Sequence, residues 1–308
     1  MNLTRFHPSA AMQLFRYENW SERTGASPEL RACWAATQCT HALLQARDQS
    51  ATAIRIFRLA ARFLRGYQWG LPPSPGIYCE FCGDFREVKR APFDSREGLV
   101  CESCGLAARM RACVSLLLAN FGPPARLYVT EQATPLFARL QDKGLVIVGS
   151  EFEPDVMKRE RLTAQMHSCG GVGEVQFQDV TSLSFADAAF DAILSCDVLE
   201  HVPDYRAALA EFARVLTPGG TLVATFPFTD GAETVVRAKI DEAGAIQHVL
   251  PPEYHGNPTG DGVLCFYHFG WDVLDVVRQA GFRHAAMVMP WAPQCGYHYG
   301  LWTLLATR

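Results

Sequence analysis

The sequence predicts an α/β protein in which a mostly parallel β-sheet is covered by helices. Three observations support this prediction. An apolar run at residues 192–194 ends in small and acidic residues, as buried parallel strands do. Apolar residues then recur at helical spacing over 205–216, and residues 221–226 alternate as a second strand. Pro218 and Gly219 suit the inner positions of a type II turn between that helix and that strand.

The length and composition indicate a globular protein. The chain has 308 residues, of which 49% are hydrophobic, so it can bury a full core and has room for about two domains. No stretch approaches the roughly 20 apolar residues that a membrane-spanning helix needs, and residues 1–20 lack the apolar core of a secretion signal. We therefore expect no stable membrane insertion and a cytoplasmic location.

The domain organisation is predicted to have three segments. Residues 1–75 are expected to be a helical region ending in a linker rich in proline and glycine, 76–112 a small ribbon, and 113–308 the α/β domain. In the first segment, four arginines share one helical face opposite apolar residues: Arg55, Arg58, Arg62 and Arg65. Such a face either meets RNA, a membrane surface or an acidic partner, or is a solvated face over a local core. Both interpretations stay open.

Four of the eleven cysteines form two close pairs. Two residues separate Cys79 from Cys82 and Cys101 from Cys104, and eighteen residues lie between the pairs. Each pair can hold one side of a tetrahedral metal ion at this spacing, which lies within the range of structural zinc sites. Because four thiolates leave no coordination position open, the sequence predicts a structural zinc ion that stabilises the ribbon.

Charge is distributed unevenly along the chain. Residues 51–126 contain eleven lysines and arginines against six acidic residues, whereas residues 127–308 contain twelve against twenty-two. The acidic second part disfavours a large polyanionic substrate, while the basic first part keeps a nucleic-acid partner possible. Arg109 and Arg111, at the start of an apolar helix, either face a phosphate or a carboxylate or pack the ribbon through hydrogen bonds.

Seven strands are expected in the α/β domain. They are predicted at residues 126–130, 145–149, 174–177, 192–194, 221–226, 284–290 and 301–307, with a helix at 271–281. Ligands of doubly wound sheets bind outside the carboxyl ends of the strands. The residues that follow these ends are therefore candidate ligand contacts.

Two runs of sequence resemble a known family. The run DVLEHV at residues 197–202 and the run RVLTPGG at 214–220 are similar to class I S-adenosylmethionine (SAM) dependent methyltransferases with a methyltransferase type 11-like domain. The resemblance covers about residues 125–308. It implies a Rossmann-like class I methyltransferase fold, with a mostly parallel seven-stranded sheet and a reversed last strand. With the preceding ribbon, the chain resembles a bacterial subgroup of ribbon-bearing methyltransferases.

The resemblance implies a set of cofactor contacts. In that family the residue matching Glu131 faces the ammonium group of SAM, Glu151 the ribose hydroxyls and Asp179 the adenine amino group, while residues 195–197 lie beside the sulfonium. The candidate cofactor-binding residues are Thr130, Glu131, Gln132, Thr134, Glu151, Asp179, Val180, Ser195, Cys196 and Asp197.

The first cofactor loop departs from the family pattern. Gln132, Ala133 and Thr134 stand where glycines are expected. A dinucleotide site needs glycines for close approach to the pyrophosphate, but SAM has no phosphate. Thr134 as N-cap and Pro135 at the first helical position provide a helix start that can hold the SAM carboxylate instead.

An insertion at residues 229–269 is expected to cover the acceptor site, because long connections often do. A hydroxyl acceptor benefits from a base with a pKa near neutrality. His255 is the first candidate for this base, followed by His201, His248 and His268.

The leading functional prediction is transfer of a methyl group from SAM to oxygen or nitrogen of a small-molecule or sugar-containing (glycan-type) acceptor. An RNA methyltransferase that uses the ribbon and the basic first part is the alternative, and a module that binds partners without catalysis is a second alternative. The sequence leaves the oligomeric state open.

Overall fold

The computed structural model describes residues 13–17, 76–89, 97, 99–121, 124–229, 231–256, 262–292, 295–297 and 301–308. They divide into two compact units: one comprises Cys113–Val288 and Trp302–Arg308, and the other the described residues up to Ala112 together with Met289–Leu301. The predicted basic helix lies outside the described residues.

Six of the seven strands predicted for the α/β domain, and the predicted helices at 205–216 and 271–281, have counterparts among the elements of the structure. The strands are β1 (Gln13–Tyr17), β2 (Gly76–Cys79), β3 (Asp84–Lys89), β4 (Val100–Cys101), β5 (Leu127–Val129), β6 (Ile147–Gly149), β7 (Phe190–Cys196), β8 (Leu216–Thr225), β9 (Val235–Val236), β10 (Ala238–Ile240), β11 (Ile246–His248), β12 (Tyr254–His255), β13 (Val263–Leu264), β14 (Tyr267–His268), β15 (His284–Trp291) and β16 (Thr303–Thr307). The helices are α1 (Ala108–Phe121), α2 (Pro135–Gln141), α3 (Val156–Ser168), α4 (Tyr205–Val215) and α5 (Val273–Gln279), with a 3₁₀ turn at Leu199–His201. The strand β1 lies in the region for which helix was expected.

The main sheet of the larger unit has the strand order β15-β16-β8-β7-β5-β6. Strand β5 is parallel to β6 and β7, and β7 is parallel to β8, whereas β16 is antiparallel to both β8 and β15. Every residue of β5 and residues 192–196 of β7 are buried, as expected for strands covered on both faces. The predicted fold class is therefore confirmed: the sheet is mostly parallel with a reversed last strand.

One predicted strand is nearly absent. Residues 174–177 form only a single parallel bridge, between Glu151 and Phe177. The side chain of Gln132 takes part of the hydrogen bonding that a neighbouring strand would otherwise provide, because its Nε2 donates to Glu174 O (2.8 Å) and its Oε1 accepts from Gln176 N (2.8 Å). A side-chain amide thus holds this segment in place of a regular strand pair.

The turn predicted at Pro218 and Gly219 lies within the first residues of β8, and Gly219 has the backbone geometry that it requires. Its φ of 82° lies in the left-handed region that a type II turn requires at its third residue. The register between β7 and β8 shifts at this point, since Phe190 pairs with Leu216 and Ala192 pairs with Thr221. The turn therefore forms a bulge in β8, and the residues on both sides of it pair with β7.

The insertion forms small antiparallel pairs rather than an irregular loop. Strand β10 pairs with β11, β12 with β13, and β9 with β14. The pairing brings the ends of the insertion together, because His268 lies opposite Val235. Through β12 and β14, the insertion holds two of its histidines on ordered backbone.

Gly149, the last residue of β6, is expected to tolerate no side chain. A Cβ there would lie 2.5 Å from Phe137 Cε2 and 2.8 Å from Gln132 Cγ. Gly149→Ala should therefore lower the free energy of unfolding by about 1–3 kcal/mol, because the buried ring must shift. Urea unfolding would measure the change, and Gly256→Ala, whose Cβ meets nothing within 4 Å, is the control. Equal stability of the two variants would contradict the packing argument.

Candidate active site

Glu131 is held at the carboxyl end of β5 by two hydrogen bonds. Its Oε1 accepts from Cys196 N at 2.7 Å, and its Oε2 accepts from the Thr130 hydroxyl at 2.6 Å. Ser195 Oγ lies 3.0 Å from Thr130 Oγ1, so the ends of β5 and β7 are joined at this point. The structure thus brings Thr130, Glu131, Ser195 and Cys196 together, as predicted.

Glu151 is attached to the same loop from the next strand. It follows β6, and its Oε1 accepts from Ala133 N at 2.6 Å. A second backbone contact, from Gln132 N to Ser150 O (3.1 Å), ties the loop to the end of β6. Glu131 and Glu151 therefore meet the two ends of one short loop, although that loop has no glycine.

The pKa values of both carboxyl groups are raised. Burial and the nearby Cys196 thiol raise the pKa of Glu131 well above its usual range, against hydrogen bonds from Thr130 and the Cys196 backbone. Burial raises the pKa of Glu151 to about 7. Two such groups gain most from a ligand that supplies positive charge and hydroxyl donors, because these stabilise the ionised forms.

The side chains of Gln132 and Thr134, in the same loop as Glu131, form hydrogen bonds that hold neighbouring segments of the backbone. Thr134 caps α2, since its hydroxyl accepts from Phe137 N at 3.3 Å, and Pro135 starts the helix as predicted. Gln132 is buried, and both ends of its side-chain amide are bonded to residues 174 and 176. Any cofactor contact from Gln132 is therefore left to its backbone.

Asp179 and Asp197 lie in turns after their segments. Asp179 Oδ1 accepts from the Thr181 backbone N (2.8 Å) and hydroxyl (2.7 Å), and the neighbouring Val180 is buried. Asp197 has a φ of 58°, a conformation rare for residues other than glycine, and its backbone N donates to Thr225 O at 2.8 Å. Such backbone conformations are concentrated at functional sites.

Three of the four candidate histidines lie in one cluster. The rings of His201 and His255 pack edge to face with centroids 4.9 Å apart. His255 Nε2 and His268 Nε2 both lie near Glu253 Oε1, at 3.1 and 3.0 Å. His248 is exposed on β11 and makes none of the described contacts with the other three, so the structure separates it from the group.

The surroundings of His255 do not favour the predicted base. The Cys265 thiol and the Glu200 carboxyl raise the pKa of this ring to about 11. Without a bound ion, a ring with such a pKa already carries its second proton at neutral pH. A general base must instead be unprotonated so that it can accept a proton from the acceptor. In the same cluster, His201 Nδ1 lies 2.9 Å from Leu264 O and its Nε2 faces Glu200.

Sequence reasoning missed three members of this cluster: Glu200, Glu253 and Cys265. Glu200 directly precedes His201 in the run that carries the family resemblance, and it is fully buried. Its position beside a candidate histidine was the available signal. Glu253 and Cys265 gave none, because the pairing of β12 with β13 sets their position.

The four paired cysteines form a second candidate site, in the smaller unit. Cys79 Sγ lies 3.8 Å from Cys104 Sγ, and Cys82 Sγ lies 3.9 Å from Cys101 Sγ. A tetrahedral ion bound by four sulfurs at about 2.3 Å holds them about 3.8 Å apart, so the cluster fits a zinc ion. Gly83 and Gly105, each with a positive φ, let the chain turn directly after each pair.

The two arginines after the ribbon are engaged in hydrogen bonds. Arg109 Nε lies 2.6 Å from Glu97 Oε1. Arg111 is buried and donates to three carbonyl oxygens, those of Leu99, Leu106 and Cys295. The packing interpretation of Arg111 agrees with these contacts, all of which lie within the smaller unit.

Known proteins resemble part of the chain. Residues 131–224 match a family model described as a methyltransferase domain. A demethylmenaquinone methyltransferase from Thermus thermophilus is 38% identical over 82 residues, which are 26% of this chain and 36% of that protein. An O-methyltransferase from Aspergillus nomiae is 33% identical over 121 residues, which are 38% of this chain and 50% of that protein. The chain thus spans half or less of the length of these relatives.

Solved structures were also matched. A SAM-dependent methyltransferase from Mesorhizobium loti is 17% identical with a TM-score of 0.43, covering 65% of this chain and 98% of that one. A 1,6-didemethyltoxoflavin N1-methyltransferase from Burkholderia thailandensis is 22% identical with a TM-score of 0.38, covering 65% and 78%. Together with the observed strand order, the family match leads to one conclusion: the chain has a Rossmann-like methyltransferase fold, and its residues 131–224 match the methyltransferase domain family.

Proposed function

We propose that the α/β unit transfers a methyl group from SAM to oxygen or nitrogen of a small-molecule or sugar-containing acceptor. The observation that carries the proposal is a pair of carboxyl groups, Glu131 and Glu151, which follow the adjacent parallel strands β5 and β6 and are linked through the loop after β5. Both have raised pKa values and therefore suit a cofactor that brings an ammonium group and two ribose hydroxyls.

Each proposed cofactor contact has a defined role. Glu131 pairs with the SAM ammonium, Glu151 accepts from the ribose hydroxyls, and Asp179 with Val180 binds the adenine. Ser195, Cys196 and Asp197 lie at the end of β7, where the sulfonium is expected. Methyl transfer then depends mainly on in-line positioning of the acceptor.

Calorimetry with SAM tests the proposal directly. Heat of binding that saturates with about one SAM per chain is the expected result. If no binding occurs at millimolar SAM, the non-catalytic module becomes the better interpretation. Incubation with labelled SAM and fractionated cell extract then identifies the acceptor class, and we expect the label in the small-molecule fraction.

Salt dependence distinguishes the small-molecule proposal from the RNA alternative. The described arginines nearest the ribbon already have protein partners, and residues 127–308 are acidic, so we expect little use of phosphate contacts. Raising salt from 50 to 200 mM should change methyl incorporation less than about twofold, whereas RNA held by six to ten phosphate contacts would lose about 10³–10⁵ in affinity. A steep loss, with label in large RNA, would favour the alternative.

The four-cysteine cluster is proposed to hold a structural zinc ion. The sulfur separations of 3.8 and 3.9 Å support it, as does the absence of a disulfide among these four cysteines. Four thiolates leave no position for a substrate, so the zinc is assigned to folding of the ribbon.

A further inference from the structure

Glu200 is a fully buried carboxyl group whose oxygens accept no hydrogen bond from the described residues. An ionised carboxylate in such a place is unfavourable unless a cation accompanies it. The groups that face Glu200 therefore decide how this charge is balanced.

Two histidine rings converge on one oxygen of Glu200. His201 Nε2 lies 3.7 Å and His255 Nδ1 lies 3.6 Å from Glu200 Oε1. These distances exceed the 2.7–3.2 Å that is typical of a hydrogen bond from nitrogen to oxygen. A proton shared between a ring and the carboxylate would draw the two atoms closer than this.

The far nitrogen of each ring is already bonded to an oxygen. His201 Nδ1 lies 2.9 Å from Leu264 O, and His255 Nε2 lies 3.1 Å from Glu253 Oε1. An oxygen acceptor places the proton of a neutral ring on the nitrogen that faces it. In the neutral rings that a metal ion binds, the nitrogens that face Glu200 carry the lone pairs, as in metal-binding histidines whose other nitrogen donates to a carbonyl or carboxylate. Metal binding therefore displaces the second proton that the His255 ring holds without an ion.

We propose that Glu200, His201 and His255 bind a divalent transition-metal ion, for which zinc is the best match. Ligands about 2.0–2.2 Å from a tetrahedral ion are roughly 3.3–3.6 Å apart, close to the observed separations. Two histidines and one carboxylate are a common ligand set of catalytic zinc sites, in which the fourth position stays open. This set differs from the four-cysteine cluster in ligands and in unit.

The neighbouring groups support the site rather than form a second one. Glu253 Oε1 lies within hydrogen-bond distance of the Nε2 atoms of His255 and His268. Its Oε2 lies 3.1 Å from Arg237 Nη2. Cys265 Sγ lies 3.2 Å from the Tyr267 carbonyl. Because Glu253 is held on both oxygens, it fixes the orientation of the His255 ring toward Glu200.

The position of the metal limits the chemical class of the methyl acceptor. This part of the inference rests on the proposed function. Glu200 and His201 lie in the 3₁₀ turn shortly after Cys196 and Asp197, on the loop proposed to meet the sulfonium. A metal there binds the oxygen of a hydroxyl acceptor and lowers its pKa. The hydroxyl proton passes to water, the oxygen bonds to the methyl carbon, and the carbon–sulfur electron pair returns to sulfur, giving S-adenosylhomocysteine. We therefore favour a hydroxyl acceptor over an amine.

Metal analysis of the full-length protein tests the inference. After dialysis with excess zinc and removal of free ion, mass spectrometry should find about two zinc ions per chain in the wild type and about one in Glu200→Gln and in His201→Gln. His248→Ala, which removes an exposed histidine outside the proposed ligand set, should keep two. One zinc in the wild type, or two in both ligand variants, would overturn the proposal.

Thermal unfolding separates loss of the metal from loss of the fold. Added zinc should raise the Tm of chelator-treated wild type by several degrees more than that of Glu200→Gln, because only the wild type regains the second ion. A purely structural Glu200 would leave the two zinc responses equal, which counts against the site. SAM calorimetry reports independently: metal binding without SAM binding would refute the proposed function and leave the metal site standing.

Discussion

Cys101→Ser is expected to remove the zinc ion of the ribbon and to unfold its described residues, 77–89 and 99–107. Three thiolates would remain, because the substitution removes Cys101 Sγ, which lies 3.9 Å from Cys82 Sγ in the cluster. The ribbon's sheet consists of β2, β3 and the two-residue β4, too little to form a stable core alone. Zinc binding in small zinc domains contributes about 10–16 kcal/mol, so its loss outweighs the remaining contacts.

Hydrogen exchange and metal content measure this effect together. Amides of residues 77–89 and 99–107 should exchange much faster in Cys101→Ser, and the variant should contain about one zinc ion fewer than the wild type. Cys113→Ser is the matched control, because Cys113 is also buried and uncrosslinked but lies outside the cluster. If Cys101→Ser keeps both its metal and its protection, the zinc assignment is wrong.

The sequence predicted the central sheet well because its strongest patterns coincide with buried elements. The apolar repeat of α4 predicts a helix with one buried face, and Leu209 and Phe212 on that face are fully buried. Glu211 and Arg214 lie off this apolar stripe, and in the structure they form an ion pair at 2.7 Å. Local periodicity and tertiary burial agree in this region, so the prediction was reliable.

The weaker predictions failed where a single side chain or a long-range pairing decides the structure. Residues 174–177 alternate like a strand, but the amide of Gln132, more than forty residues earlier, replaces part of the strand pairing. No local pattern reports such a contact. The histidines of the insertion posed the same problem, because the pairing of β12, β13 and β14 separates His255 and His268 from His248.

The sequence predicted which residues lie at the proposed cofactor site, but it could not predict their pKa values. The resemblance implied Glu131 and Glu151 as contacts, and the structure links both to the loop after β5. Burial raises both pKa values, and the Cys196 thiol raises that of Glu131 further, while the Ala133 backbone amide lowers that of Glu151. Only a folded structure defines these positions. This burial is the origin of the pH dependence expected for cofactor binding.

Glu151→Gln is expected to weaken SAM binding about tenfold or more and to change its pH dependence. The glutamine keeps the shape of Glu151 but loses the charge, and hydrogen bonds to a charged group contribute about 1.5–3 kcal/mol. In the free wild type the pKa of Glu151 is about 7, raised from 4.5, so folding becomes less favourable as the pH rises through this range. Ribose hydroxyls favour the ionised form, so SAM must displace the proton below pH 7.

Calorimetry in buffers of different ionisation enthalpy counts this proton. At pH 6 the wild type should release about one proton more per bound SAM than Glu151→Gln, and at pH 8.5 the two should agree, because a group with a pKa near 7 is then ionised beforehand. Glu131, the neighbouring carboxyl group with a raised pKa, is present in both proteins and cancels in the difference. Glu160→Gln, on the exposed face of α3, should behave as the wild type. Equal proton release from wild type and Glu151→Gln at pH 6 would show that Glu151 does not bind the ribose, because a carboxyl that loses its proton to the cofactor must contribute to the count.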